Sequence, residues 1–206
     1  MERITKLQQQ QGAVRRVSVF IDNRFAAGLS PKAIRELNLQ VGMEVDADLQ
    51  RKIIRTAARE SALLFLTRRE HARAELAGKL KQKGYPGEVI ASVLDELERQ
   101  RYLDDQRFAQ LWVAHRRAAH PRGRRMVALE LEQKGVAPEV AREAIDVVFP
   151  ENEEREDMAA LIRKRLRSLQ RLDPQVARRR LFGFLARRGF SYEDVRQVLT
   201  EDFPEL

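Results

Sequence analysis

The sequence of 206 residues contains no cysteine, which excludes disulfides, thiolate zinc sites, iron–sulfur clusters and thiol nucleophiles. Because a cysteine-free chain fits a reducing compartment, we expect the protein to act in the cytoplasm. No apolar run approaches the roughly 20 residues that a membrane helix needs, so we expect no membrane partner. Residues 1–11 are polar and rich in glutamine, and they lack the apolar centre of a secretory signal.

Sequence patterns that carry catalysis are also lacking. There is no Walker glycine loop, no dinucleotide fingerprint and no Ser/His/Asp order. The adjacent carboxylates Asp104 and Asp105 invite a metal interpretation, but a helix N-cap just before Phe108 explains them better. His115 and His120 have no third ligand of suitable type close in sequence. We therefore expect no enzyme activity, no cofactor and no bound metal.

Positive charge is in excess and is unevenly distributed. The chain has 39 Lys and Arg against 31 Asp and Glu, a formal net charge of +8. Residues 151–157 hold five acids and one arginine, residues 158–192 hold ten bases and one acid, and residues 193–206 hold five acids and one arginine. A solvated surface is the simpler interpretation of any single charged run. Segregation on this scale favours a polyanionic partner, either nucleic acid or an acidic protein surface.

Two regions hold the candidate contacts with phosphates or acidic surfaces. The segment 115–125 has five arginines and no acid, and we expect it to centre on a loop between helices. The second region spans residues 163–180. Arginine suits both partners because its planar fork makes bidentate bonds to phosphate and to carboxylate. The candidate contact residues are Arg116, Arg117, Arg122, Arg124, Arg125, Arg163, Lys164, Arg165, Arg167, Arg171, Arg178, Arg179 and Arg180.

The N-terminal part of the chain differs from the rest. Residues 14–21 are rich in β-branched side chains, Asp22-Asn23 supplies a turn, and residues 24–29 return as a second strand. Ser30-Pro31 predicts the start of a short helix to about Leu39. A turn and a short strand come next, before Asp46 caps another helix. An isolated hairpin is marginally stable, so this unit must pack on its own helix or on the next part of the chain.

The remaining sequence is helical and repeats three times around a glycine. Gly84, Gly135 and Gly189 align, with an apolar residue eight positions before, a leucine four positions before and a glutamate four positions after each of them. This pattern predicts a helix with one apolar stripe, a left-handed glycine cap, and a second helix with an acid in its first turn. A third helix precedes each pair, over about 57–66, 108–117 and 158–168. Gly183 lies inside one of these helices and is interpreted as a close-packing position.

These patterns predict an all-α fold class, an elongated array of three tandem three-helix modules with a small N-terminal β-hairpin/helix extension. We assign residues 1–54 to the extension, 55–107 to the first module, 108–157 to the second and 158–206 to the third.

The first two modules carry motifs that resemble the regulatory protein RecX family. Leu-Asp-Asp-x-x-Phe-Ala begins at Leu103, and Leu-x-x-Lys-Gly-Val begins at Leu131. The similarity covers about residues 55–206, and the N-terminal segment is similar to an extension that some members carry. His120-Pro-Arg-Gly123 departs from the Gly/Lys-rich loop expected there. The residues matched to the family pattern are Leu76, Leu80, Gly84, Leu103, Asp104, Asp105, Phe108, Ala109, Leu131, Gly135, Leu185 and Gly189.

The resemblance implies a non-enzymatic modulator that binds the RecA recombinase filament on single-stranded DNA. Family members restrain filament growth and the ATPase, strand-exchange and co-protease activities of RecA. Binding to double-stranded DNA stays open, and we expect a monomer. The alternative is a free-standing DNA- or RNA-binding protein whose modules act like helix-turn-helix units. The shortage of Asn and Gln near the arginine clusters argues against base-specific readout, although arginine alone can read guanine.

Overall fold

The computed structural model describes residues 2–10, 16–119 and 121–205. These residues form four strands and ten helices, and the chain divides into two compact units, Met1–Asp104 and Asp105–Leu206. The strands are β1 (Glu2–Gln9), β2 (Val17–Ile21), β3 (Arg24–Leu29) and β4 (Glu44–Val45). The helices are α1 (Pro31–Glu36), α2 (Ala47–Leu66), α3 (Arg73–Gln82), α4 (Gly87–Arg99), α5 (Asp105–Ala119), α6 (Arg124–Gln133), α7 (Pro138–Val148), α8 (Glu151–Leu166), α9 (Pro174–Ala186) and α10 (Tyr192–Glu201).

A four-stranded antiparallel sheet, in the order β3-β2-β1-β4, begins the first unit. The predicted hairpin is confirmed: its turn residues Asp22 and Asn23 have φ values of 44° and 63°. The sheet is larger than predicted because β1 was missed. That strand is mostly polar and exposed, with Ile4 as its fully buried apolar residue. The predicted strand also began at Val14, and residues 11–15 lie outside the described part of the chain.

Helix α2 is longer than the helix predicted over about 57–66, because it begins at Ala47. It begins after Asp46, whose carboxylate accepts from the Leu49 amide as predicted, and it runs for 20 residues. Ile53 and Ala57 of this helix pack in the core that contains the sheet, whereas Ala58 and Ala62 belong to the core of the first module. The division predicted after residue 54 therefore lies inside a helix that serves both cores.

The three glycine caps are confirmed. Gly84, Gly135 and Gly189 have φ values of 85°, 79° and 86°, in the left-handed region that favours glycine. After each glycine the next amide donates to the carbonyl of the leucine four positions before the glycine, at 3.1–3.3 Å. These hydrogen bonds close the helix ends and turn the chain back into the following helix.

The predicted core positions of the repeat are buried in all three modules. The leucine four positions before each glycine is fully buried, and so is the apolar residue eight positions before each glycine. Helices α5 and α8 begin earlier than predicted. The acidic run 151–157 forms the first two turns of α8, since carboxylates are stabilised at a helix N-terminus.

Gly183 is not the close-packing position that was predicted. A Cβ at this residue would meet only Nη1 of Arg187, at 3.3 Å, which is the end of a flexible side chain. The glycine lies on α9 among arginines, away from the buried stripe of Ala177, Leu181 and Leu185. Across the described ranges, no helix is both long and apolar enough to cross a membrane.

Candidate nucleic-acid interface

The arginine-rich segment 115–125 centres on the connection between two helices, as predicted, although most of its residues are helical. Residues up to Ala119 complete α5, and Arg124 begins α6. His115 is exposed on α5, and His120, its predicted partner, lies outside the described residues. Within the described ranges, no group of three or more His, Asp and Glu side chains is placed to hold a metal ion.

Two arginines of this segment share one carboxylate. Arg122 donates to Oε1 of Glu130 at 2.5 Å, and Nε of Arg116 lies 2.6 Å from Oε2 at an angle that gives an ion pair but no hydrogen bond. The Arg116 guanidinium also lies 4.5 Å from the ring centre of Trp112, whose indole N–H donates to Glu130 at 3.1 Å. Since Glu130 is 12% exposed, these contacts neutralise a nearly buried charge.

Arg117 and Arg124 are paired with acids of α7 and α8. Arg117 donates to Asp157 at 2.9 Å and to Glu153, and its guanidinium lies 5.0 Å from the ring centre of Phe149. The hydrogen bond from Arg117 to Asp157 raises the pKa of Arg117 despite the opposing effect of burial.

The side chain of Arg124 bonds Asp146 and lies 3.4 Å from Glu151. Its backbone amide donates to Glu154 at 2.9 Å. Of the five candidate arginines of this segment, Arg125 is exposed and forms no ion pair with any residue that the structure describes. The segment 116–124 is therefore neutralised from within the chain.

The end of the same segment joins the second module to the third. The Gly123 amide donates to the Arg188 carbonyl at 2.9 Å, and Nη1 of Arg188 donates to the Pro121 carbonyl at 3.0 Å. A Cβ on Gly123 would overlap the carbonyl of Gly189 and lie 2.6 Å from the Phe190 amide nitrogen. The departure from a Gly/Lys-rich loop at 120–123 thus coincides with a contact between backbones.

Most of the basic side chains of the third module, unlike those of segment 116–124, are exposed and are not paired with acids of the described residues. Its exposed cations lie on the last turn of α8, the turn after it, and α9, and among the described residues they have no acidic partner within 4.0 Å. Arg178 is not part of this exposed set, because it is partly buried and donates to the Leu199 carbonyl and to Thr200 of α10. The side chains of this basic face are Arg163, Lys164, Arg165, Arg167, Arg171, Arg179, Arg180 and Arg187.

The fold separates these cations from the acids of the same helix. Glu153 and Glu154 lie at the N-terminus of α8, whereas Arg163 and Arg165 lie at its C-terminus, which matches the helix dipole at both ends. Arg165 also lies 5.7 Å from the ring centre of Phe184 on α9. The α8 end and α9 therefore form one positively charged surface.

A partly buried charge cluster in the first module was not predicted. Glu75 accepts from both terminal nitrogens of Arg69, at 2.5 and 3.1 Å, and lies 3.0 Å from Nδ1 of the buried His71. Burial alone would raise the pKa of Glu75, but the Arg69 and His71 hydrogen bonds lower it to about 2. Burial lowers the pKa of His71. The signal available in the sequence was the spacing of four residues between His71, just before α3, and Glu75 in the first turn of that helix.

Comparison of the sequence with models of known protein families identifies the family of this chain. The RecX models of the N-terminal domain and of the first, second and third three-helix domains match residues 2–46, 58–97, 104–145 and 153–199. The chain belongs to the RecX family. Its three tandem three-helix domains agree with the predicted repeat, and the matched ranges leave the second half of α2 in the first of them.

Relatives in this family cover most of the chain. Regulatory protein RecX of Thermobifida fusca (strain YX) is 39% identical over 153 residues, which are 72% of this chain and 82% of the relative. Regulatory protein RecX of Clostridium botulinum (strain Alaska E43 / Type E3) is 28% identical over 207 residues, 98% and 96% of the two chains. A crystal structure of regulatory protein RecX has a TM-score of 0.69 and 21% identity, covers 98% of this chain and 100% of that chain, and supports the fold.

Proposed function

We propose that this RecX-family protein regulates the RecA recombinase by binding its filament on single-stranded DNA, and that the basic face of the third module makes the contact. Binding restrains filament growth and, with it, the ATPase, strand-exchange and co-protease activities of RecA. The protein acts by occupying a surface, as a cytoplasmic monomer without cofactor or catalytic residue. The extension and three modules with bounds near 54, 107 and 157 remain our proposed division.

One observation carries the proposal: the cations of the basic face have no acidic partners among the described residues, while those of segment 116–124 do. The arginines paired with Glu130 and Asp157 are already neutralised within the chain, so they offer little attraction to a phosphate. A phosphate that approaches Arg163 or Arg180 meets hydrated guanidinium groups free to form charge-assisted bonds. We therefore narrow the candidate contacts to the third module and Arg125.

The direct test is ATP hydrolysis by RecA on single-stranded DNA while this protein is titrated in. Inhibition at well below one molecule per RecA monomer supports regulation of a filament, because one bound protein then affects many subunits. Absence of inhibition, together with tight binding to DNA alone, would support the free-standing nucleic-acid-binding alternative. No present observation favours that alternative over the filament.

The DNA part of the proposal has its own test in the salt dependence of binding. Each phosphate contact to a single strand contributes about 0.7 to the slope of log affinity against log salt. Replacing Arg180 with Gln should reduce the slope by about that amount, whereas Arg35→Gln, an exposed site on α1, should leave it unchanged. A flat salt dependence in the native protein would indicate that RecA alone supplies the contact.

A further inference from the structure

An exposed aromatic pair borders the basic face of the third module. The rings of Phe182 on α9 and Tyr192 at the start of α10 have centroids 4.6 Å apart, at an interplanar angle of 58°. Tyr192 is 70% exposed, the highest value among the large apolar and aromatic side chains that the structure describes as exposed. An exposed aromatic ring that is held at a fixed position can stack on a flat ligand.

The folding of the module does not account for Tyr192. Phe182 is partly buried and packs against the core of the third module, so it is anchored. Tyr192 rests on Phe182 and is not part of that core, and its hydroxyl has no hydrogen-bond partner among the described residues. Ser191, which caps α10 by accepting from the Asp194 amide at 3.0 Å, fixes the backbone from which the tyrosine extends.

The charges around the pair suit a nucleic-acid strand. Arg179 lies three residues before Phe182 on α9, and Arg196 lies four residues after Tyr192 on α10, so each arginine shares a helix face with one ring. Both arginines are exposed and have no acidic partner in the described ranges. The nearest acids in sequence are Glu193 and Asp194, and Asp194 is already bonded to the Ser191 hydroxyl.

We propose that Tyr192, supported by Phe182, is a stacking platform for one unpaired base of single-stranded DNA, with Arg179 and Arg196 on the phosphates to either side. The inference rests on the proposed function and deepens it by naming the chemistry that selects the strand. Aromatic stacking accepts any base because every base has a π-face, and basic neighbours hold the backbone. In a duplex both faces of a base are covered, so the platform favours single-stranded over double-stranded DNA.

The test compares two oligonucleotides of equal length and charge, one of thymidines and one with abasic sites, by fluorescence anisotropy at fixed salt. The native protein should bind the thymidine strand about 10-fold more tightly than the abasic strand. Tyr192→Ala should remove that difference without changing affinity for the abasic strand, and Tyr192→Phe should keep it. Tyr102→Ala, at a 53% exposed tyrosine of the first unit, is the matched control and should behave as the native protein.

A second measurement reports stacking directly. 2-Aminopurine within the thymidine strand should lose fluorescence on binding to the native protein and to Tyr192→Phe, but not to Tyr192→Ala. Because Tyr192 is largely exposed, thermal unfolding should be nearly the same in the native protein and in both Tyr192 variants. Salt-dependent binding with equal affinity for both strands would overturn the platform and leave the proposed function intact. Absence of binding to either strand, with RecA still inhibited, would overturn the DNA contact itself.

Discussion

Gly123 and Gly189 lie against each other with no space for a side chain between them. The Gly123 amide donates to the carbonyl of Arg188, the residue before Gly189, and a Cβ on either glycine would overlap its neighbours. On the Gly189 side that neighbour is Met126 of α6. The turn that ends α9 therefore has two roles: it caps that helix, and it packs against the second module.

Substitution of Gly123 by alanine tests this contact. The new Cβ would push the chain away from the turn at Gly189, and we expect a loss of about 2 kcal/mol or more in the free energy of unfolding. Thermal and urea unfolding of the native and substituted proteins measure this change.

Gly78→Ala is the matched control. Gly78 is an exposed residue of α3, and a Cβ at this position would have no other atom within 4 Å. Alanine should therefore stabilise the protein by about 0.5–1 kcal/mol through its helix propensity. Equal and small effects at the two glycines would show that the backbone contact at Gly123 does not exist in solution.

Arg117→Gln should separate structural from functional arginines. It removes the bonds to Asp157 and Glu153 and leaves both acids unpaired, so we expect about 1–2 kcal/mol of destabilisation. Affinity for single-stranded DNA and its salt slope should not change. A variant of native stability with a reduced salt slope would instead place Arg117 in the DNA contact.

Glu75 should make the first unit sensitive to acid. Its folded pKa of about 2 lies below its ordinary value of 4.5, so its ionised form contributes stability fully above pH 4.5 and loses that contribution as pH falls through 2. Glu75→Gln should therefore lower stability at neutral pH, on the order of 2 kcal/mol after allowance for the half-exposed Arg69. Thermal unfolding from pH 7 to pH 2 should show the two proteins converging at the acid end. A constant difference across that range would contradict the assignment.

Glu154 should have the opposite effect in the second unit. Burial raises the pKa of Glu154, partly opposed by the hydrogen bond from the Arg124 amide. The protonated form is favoured in the fold, so its contribution to stability is present below pH 4.5 and is lost as pH rises through the folded pKa. Glu154→Gln keeps the acceptor for Arg124 and removes the charge, and its melting temperature at pH 7 should exceed that of the native protein. A lower value at pH 7 would show that the ionised carboxylate is needed.

Local features of the fold were predictable because they depend on neighbouring residues. The left-handed caps at Gly84, Gly135 and Gly189 and the buried leucines before them follow from helix geometry within one turn or two. Strand β1 was missed because its partner strands define it: Ile4 pairs with Ile21 of β2, the start of β1 also pairs with β4, and this pairing makes a mostly polar segment extended.

The candidate site was predictable in part for the same reason. The basic run 158–192 has almost no acids close in sequence, so its exposed cations on the basic face stay unpaired in the described fold. Segment 116–124 looked equally basic, but Arg117 meets an acid 40 residues later in the chain, a contact that sequence proximity does not reveal. Folding thus neutralises the arginines of segment 116–124 and leaves the cations of the basic face available for a partner.

The most direct measurement of the central claim is inhibition of the RecA ATPase on single-stranded DNA by a protein with Arg163, Arg167 and Arg180 replaced by Gln. The matched control replaces Arg24, Arg35 and Arg68, three exposed arginines of the first unit with no acidic partner in the described ranges, and it carries the same net charge. We predict that the concentration for half-inhibition rises about 10-fold or more in the first variant and stays at the native value in the control. Native inhibition by the first variant, or equal loss in both, would contradict the account.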